Sequence, residues 1–285
     1  MPANSGKPLP MHVRIQEKPL MRNAFFSFCA GCLLLLSGCS EKLEDFDGYN
    51  YQPERLQELL PLQAGKYITY HLDSTVFTGL GLVREVHSYQ EKNVVDAQVT
   101  DASGQPSYRV YRYLRDADGT QPWRAAGTYF ITNTGNRVEW VENNRRVVKL
   151  VLPVQEGTTW RGFQYLPNEP FSPEINDFSV GNGLKTWEFT YGDEITENLG
   201  GTEWQGVRTV LHIDEITNLD AAEKPINENG YASKTYSVDK YAKGLGLVYQ
   251  NFTLWEYQPV APGSSVSYKG TYKGFGVERT IIDHN

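Results

Sequence analysis

The body of this chain has no cysteine. The chain's 3 cysteines are Cys29, Cys32 and Cys39, and none falls between Ser40 and Asn285. A disulfide framework, a thiolate metal site and a cysteine nucleophile are therefore excluded downstream. Basic blocks are missing as well. Lys and Arg total 27 against 34 Asp and Glu, for a formal charge of −7, and no cluster of cations is present that could track a phosphate backbone, which excludes nucleic acid as a partner. No helical pattern of 12 residues or more appears after Leu60. The histidines show neither His-x₃-His nor His-Glu-x-x-His spacing, so a zinc helix is not expected. There is no Gly-x-Ser-x-Gly elbow and no P-loop. Gly-x-Gly pairs begin at Gly79, Gly181, Gly244 and Gly274, but none continues to the third glycine of a dinucleotide site. The expectation is a protein that acts with no cofactor and no metal.

Aromatic residues are what the chain does have. They make up 13% of it, with 18 Tyr and 6 Trp, and flat amphipathic side chains favour pleated surfaces. Period-2 alternation follows. In Tyr67–Asp73 one face carries Ile68, Tyr70 and Leu72, and the other carries Thr69, His71 and Asp73. In Thr186–Tyr191, Trp187, Phe189 and Tyr191 alternate with Thr186, Glu188 and Thr190. Similar runs occur at Val94–Thr100, Tyr108–Leu114, Val138–Glu142, Val147–Leu152, Val207–Ile213, Leu247–Tyr257 and Val277–Ile282. Turn signals separate them at Asp101–Gly104, Asp116–Gly119, Asn133–Asn136 and Asn143-Asn144. Pro53–Leu60 reads as a short helix with Pro at its start. The fold class expected is all-β, an antiparallel meander forming a sandwich or a full or half barrel, with minor short helix near the N-terminus.

One stretch recurs: Leu60-Pro61-Leu62-Gln63-Ala64-Gly65 and Leu152-Pro153-Val154-Gln155-Glu156-Gly157. Each is followed by an aromatic residue, Tyr67 and Trp160. The repeat predicts two related β-rich halves, residues 53–150 and 151–285. Phe163–Gly183, rich in Pro, Asn and Gly, is expected to be a long surface loop, and Gln258–Ser267 a second one.

The N-terminal region reads as an address. From Met21, taken as the true start, Arg22 precedes the apolar stretch Ala24–Leu36, which small residues then end. This is the layout of a secretory signal peptide over residues 1–38, and the stretch falls short of the roughly 20 apolar residues that span a membrane. Leu36-Ser37-Gly38-Cys39 resembles the lipobox of bacterial lipoproteins. The resemblance implies acylation of Cys39, cleavage after Gly38, and a firm hold on a membrane. Residues 39–52, with Glu41, Glu44, Asp45 and Asp47, read as a lipidated acidic tether. Acids directly after the lipidated cysteine are also similar to the surface-export signals of some lipoproteins. The body beyond resembles β-rich envelope lipoproteins, a likeness that implies no activity.

Within the body the candidate chemistry is thin. Tyr70-His71-Leu72-Asp73 and Leu211-His212-Ile213-Asp214 share a His-x-Asp pattern, which on a strand puts both side chains on one face, although a solvated polar face explains it as well. Asp116-Ala117-Asp118-Gly119 partly resembles a calcium loop, but the position that should hold the bidentate Glu is Gly127, so a hairpin turn is the better reading. No catalytic residue is assigned. Tyr249, Trp255 and Tyr257 share a strand face and are the candidate binding stripe for a glycan, peptide or lipid ligand, with packing between sheets as the alternative. The expected function is that of an outer-membrane envelope lipoprotein, exposed at the cell surface and serving in ligand binding or assembly. A hydrolase of an envelope polymer or glycan is the alternative.

Overall fold

The computed structural model describes residues 54–101, 103–168, 170–171 and 183–285. The lipobox, the tether and residues 172–182 of the expected loop lie outside them.

Twelve antiparallel strands among these residues form one sheet, nearly closed into a barrel. They are β1 Tyr67–Thr78, β2 Val83–Thr100, β3 Pro106–Asp116, β4 Arg124–Asn133, β5 Arg137–Glu142, β6 Arg145–Val151, β7 Thr159–Trp160, β8 Phe189–Leu199, β9 Thr202–Thr217, β10 Ala232–Ala242, β11 Gly246–Pro259 and β12 Gly270–His284. The order is β6-β5-β4-β3-β2-β1-β12-β11-β10-β9-β8-β7. Two consecutive meanders are thus joined through β1 and β12. The outer strand β6 is tied by a few bonds to the segment that carries β7 and to β8. The Val148 N–H donates to Gly162 O (2.9 Å), and the Trp160 indole donates to Val148 O (2.8 Å). The Tyr191 hydroxyl accepts from the Val151 N–H and donates to Val151 O.

The turns follow local chemistry. Asn143 and Asn144 both have positive φ, as do Gly200 and Gly201, the backbone of the two-residue hairpin whose twist matches the strands. Asp116 accepts from the backbone N–H groups of Thr120 and Gln121 (3.1 and 2.7 Å) and from the Thr120 hydroxyl. Its carboxylate is committed to a hairpin turn.

The two Leu-Pro-x-Gln-x-Gly stretches make the same bonds. Gly65 N–H donates to Val95 O, and Gly157 N–H to Tyr191 O, both at 2.8 Å. In return Val95 N–H donates to Lys66 O and Tyr191 N–H to Thr158 O. Both glycines have positive φ. Each stretch therefore ends a lead segment and fastens it to the second strand of its meander. Helix α1, Glu54–Leu59, buries Leu56 and Leu59 and is held by Arg55 Nη1 on Val154 O and by Gly244 N–H on Glu58 O.

Two strands have no counterpart among the sequence expectations. β4 opens on Arg-Ala-Ala-Gly, weak strand formers. β10 carries Ser237 and Asp239 on its inner face, both buried, which breaks the apolar alternation. The expected surface loop from Phe163 also needs correction at its start. Phe163 and Leu166 are buried, with Phe163 packed edge-on against Phe189 (4.9 Å) and Phe252 (6.1 Å), because the closing barrel leaves apolar space there.

Candidate functional site

The interior of the barrel is charged, and no residue of that cluster was anticipated. Arg279 on β12 grips Glu91 on β2 through Nε and Nη2 (2.9 and 3.0 Å), while Asn93 Nδ2 also donates to Glu91 (2.8 Å). Arg112 on β3 makes a bidentate pair with Glu142 on β5 (2.6 and 3.1 Å), and its Nε lies 3.5 Å from Glu91. Gln250 on β11 accepts from Arg279 Nη1 (2.6 Å) and donates to Asp239 on β10 (2.8 Å). Asp239 in turn holds Lys149 of β6 (2.8 Å) and the Tyr241 hydroxyl (3.2 Å). One network thus crosses strands from both meanders.

Burial sets its electrostatics. Burial alone would push Glu91 up, but the Arg279 and Arg112 guanidinium groups hold its carboxyl below the usual range. Asp239 is likewise held low, burial being outweighed by the Lys149 ammonium and the hydrogen bonds from Lys149 and Gln250. His212 goes the other way. Burial, with Lys149 adding to it and Asp239 opposing it, brings its pKa down to about 3. Its imidazole is neutral at physiological pH, stacked on Phe189 at 3.5 Å, with Nδ1 2.7 Å from Ser237 Oγ and Nε2 3.7 Å from Asp239.

Two cavities sit against this network. The first, about 200 Å³ and called the polar cavity for its charged wall of Glu91, Arg112, Glu142, Lys149 and Arg279, is otherwise apolar, with Trp140, Phe163 and Phe171 among its lining residues. The side chains of Arg112 and Arg279 each keep 16% exposure and Glu142 27%, so water reaches the wall. The second, about 110 Å³, is largely apolar, lined by Leu60, Leu62, Ile68, Val95, Val110 and Ile131 among others. Asn93, Trp140 and Leu247 line both.

The sequence candidates fall elsewhere. In the binding stripe, Trp255 and Tyr257 are buried. Trp255 packs on Phe77 and Tyr272, and Tyr257 on Tyr272. Tyr249 is half-buried and donates to Glu278 (3.0 Å). Trp255 nevertheless borders a separate cavity of about 220 Å³ beside Trp187, Glu215 and Glu256, whereas Tyr249 and Tyr257 line neither that cavity nor the two against the charged network. His71 meets Asp73 at 3.1 Å on exposed strand surface. His212 and Asp214 do not share a face. A β-bulge between Ile213 and Leu211 leaves His212 inside, while Asp214 is exposed; a bulge inserts one residue and shifts the alternation. Ser237, His212 and Asp239 come together in the manner of a nucleophile, base and orienting acid. However, Ser237 is 1% exposed, and none of the three lines either cavity. Cys39 lies outside the described residues.

A signal for the true cluster existed. Arg112 interrupts Val110 and Leu114, Lys149 interrupts Val147 and Val151, and Arg279 interrupts Val277 and Ile281. A lone charge inside an apolar period-2 face marks a charge the fold must bury and pair.

No family model and no curated protein matches the sequence. Solved structures that resemble it include two of similar length. One, described as an exported protein with a YMCC-like fold from Bacteroides fragilis, has 13% identity, covers 78% of this chain and 97% of its own, and gives a TM-score of 0.28. The other, a DUF1329 family protein from Desulfovibrio piger, has 11% identity, covers 82% and 89%, and gives 0.19. At these scores neither likeness bears on what this protein does.

Proposed function

We propose that this chain is a lipid-anchored protein of the bacterial cell envelope, held at the outer membrane through Cys39, that binds a small ligand inside its barrel. The address rests on the apolar stretch Ala24–Leu36, the lipobox-like Leu36–Cys39 and the acidic run after it. Each buried acyl CH₂ adds about 0.8 kcal/mol, so two or three chains on Cys39 hold the protein durably. Orientation toward the cell exterior is part of the same reading, as is the organisation into halves 53–150 and 151–285, which the matched bonds of the two Leu-Pro-x-Gln-x-Gly stretches support.

The observation that carries the binding function is the water-reached polar cavity. Ligand sites are concave, with aromatic walls and a few convergent polar groups, and Trp140, Arg112 and Arg279 supply both. A hydrolase is the weaker alternative. The Ser237–His212–Asp239 arrangement is the feature that would serve it, and its burial speaks against it.

Three experiments test the proposal. Radioactive palmitate should label the wild type and not Cys39→Ala; label retained in the variant would overturn the anchor. Thermal melting of the protein against a panel of envelope glycans, peptides and lipids should show at least one ligand raising Tm, as any ligand specific to the native state must. Protease added to intact cells should cleave the protein if it faces outward.

A further inference from the structure

We infer that the ligand is a single-chain amphiphile with an oxyanion head, the head seated in the polar cavity and the chain in the apolar one. This rests on the reading of the barrel interior as a binding site and names the chemistry that site selects.

The head follows from counting donors and acceptors on the polar wall. Arg112, Arg279 and Lys149 carry only N–H donors and no acceptor. Arg279 gives one bond from each of Nε, Nη1 and Nη2, so each Nη keeps a further N–H. Arg112 spends Nη1 and Nη2 on Glu142, and its Nε is buried with no hydrogen-bond partner. Lys149 gives one bond to Asp239, which leaves the rest of its ammonium open. The acceptors are not exhausted, but they are outweighed in charge. Glu91 Oε1 takes Arg279 and Asn93, its Oε2 takes Arg279, and each Glu142 oxygen takes one bond from Arg112, while Asn93 Oδ1 is buried with no partner. Against these stand Arg112, Arg145, Lys149 and Arg279, four cations facing two carboxylates around the cavity. Such an excess of cation favours an anionic, acceptor-only group, a carboxylate or a phosphate, and planar guanidinium groups favour it further.

The chain follows from what adjoins the wall. The apolar cavity shares Asn93, Trp140 and Leu247 with the polar one and is otherwise lined mainly by aliphatic and aromatic side chains. Its outer wall is the lead Leu60-Pro61-Leu62, a segment outside the sheet that can yield without breaking strand pairing. A purely polar ligand would leave this space empty. A purely apolar one would leave the donors of Arg112 and Arg279 unmatched, and unpaired buried polar groups are costly.

The test is isothermal titration of the intact folded protein with octanoate, decanoate and dodecanoate below their micelle concentrations. Affinity should rise about fourfold per added CH₂ until the apolar cavity is full. Acetate, which has the head alone, and decanol, which has the chain without the charge, should each bind at least about tenfold more weakly than decanoate. Leu62→Trp, which fills the apolar cavity from a segment outside the sheet, should abolish the chain-length dependence with the melting curve intact. Arg112→Lys should weaken decanoate more than decanol, because it keeps the charge and removes the fork. Affinity independent of chain length, or decanol binding as well as decanoate, would overturn the inference. If no fatty acid binds but a glycan or peptide raises Tm, the amphiphile falls and the binding reading stands. If nothing binds, both fall.

Discussion

His212 should make the protein lose stability between pH 7 and pH 5. Its side chain is 1% exposed, faced by Ser237 and Asp239 on β10, Lys149 on β6 and the ring of Phe189 on β8. The folded pKa is about 3, against 6.5 for the free side chain. The unfolded chain therefore takes up a proton below 6.5 that the folded chain refuses until about 3. Stability is fully present above 6.5 and declines as the pH falls through this window, by up to 1.36 kcal/mol per unit. At pH 5 the loss amounts to about 2 kcal/mol relative to pH 7.5, a large share of the margin of an ordinary domain. Glu91 and Asp239 also have lowered values, but their windows open only below their unfolded values of 4.5 and 3.8. Urea unfolding of wild type and His212→Gln at several pH values between 7.5 and 5 measures the effect. The variant should be less stable at pH 7.5, having lost the stack on Phe189, but its decline toward pH 5 should be shallower by about 2 kcal/mol. Equal declines in the two proteins would refute the reasoning.

Three further outcomes are expected. Glu91→Ala should cost about 3–5 kcal/mol in urea unfolding, since it strands Arg279 and leaves Arg112 with Glu142 alone inside the barrel; a loss below about 1 kcal/mol would mean water already solvates the pair. Gly200→Ala should cost well over about 1 kcal/mol, because its Cβ would stand 2.0 Å from Ile281 O at positive φ, whereas Gly201→Ala meets nothing within 4 Å and should cost only about 1 kcal/mol for its backbone. Lys149→Met should destabilise more than Lys149→Met combined with Asp239→Asn, since the single change leaves a carboxylate buried without its cation.

How much was legible in the chain depended on how local each signal was. Strand alternation such as Ile68-Tyr70-Leu72, turns such as Asn143-Asn144 and the short helix ending near Leu60 need only neighbours a few residues away, and the all-β meander followed from them. The repeat Leu-Pro-x-Gln-x-Gly was visible because Pro and Gly act on their own backbone. β10 was not visible, because its inner face carries Ser237 and Asp239, whose reason for being inside is Lys149 and Gln250 on other strands. The His212–Asp214 pairing depended on an alternation that a bulge interrupts, and no residue type announces that bulge.

By itself, then, the sequence determined the all-β class, the absence of cysteine chemistry in the body, and the address-like segment ending at Cys39. Only the tertiary structure decided whether the sheet would lie open or nearly close, and what closure would enclose. Closure ties β6 to the segment that carries β7 and sets Glu91, Arg112, Arg279 and Asp239 around one interior, although they are far apart along the chain. The physical reason is that a buried charge is tolerable only with its partner, and partners drawn from seven different strands are specified by register and curvature, which no stretch of sequence contains alone.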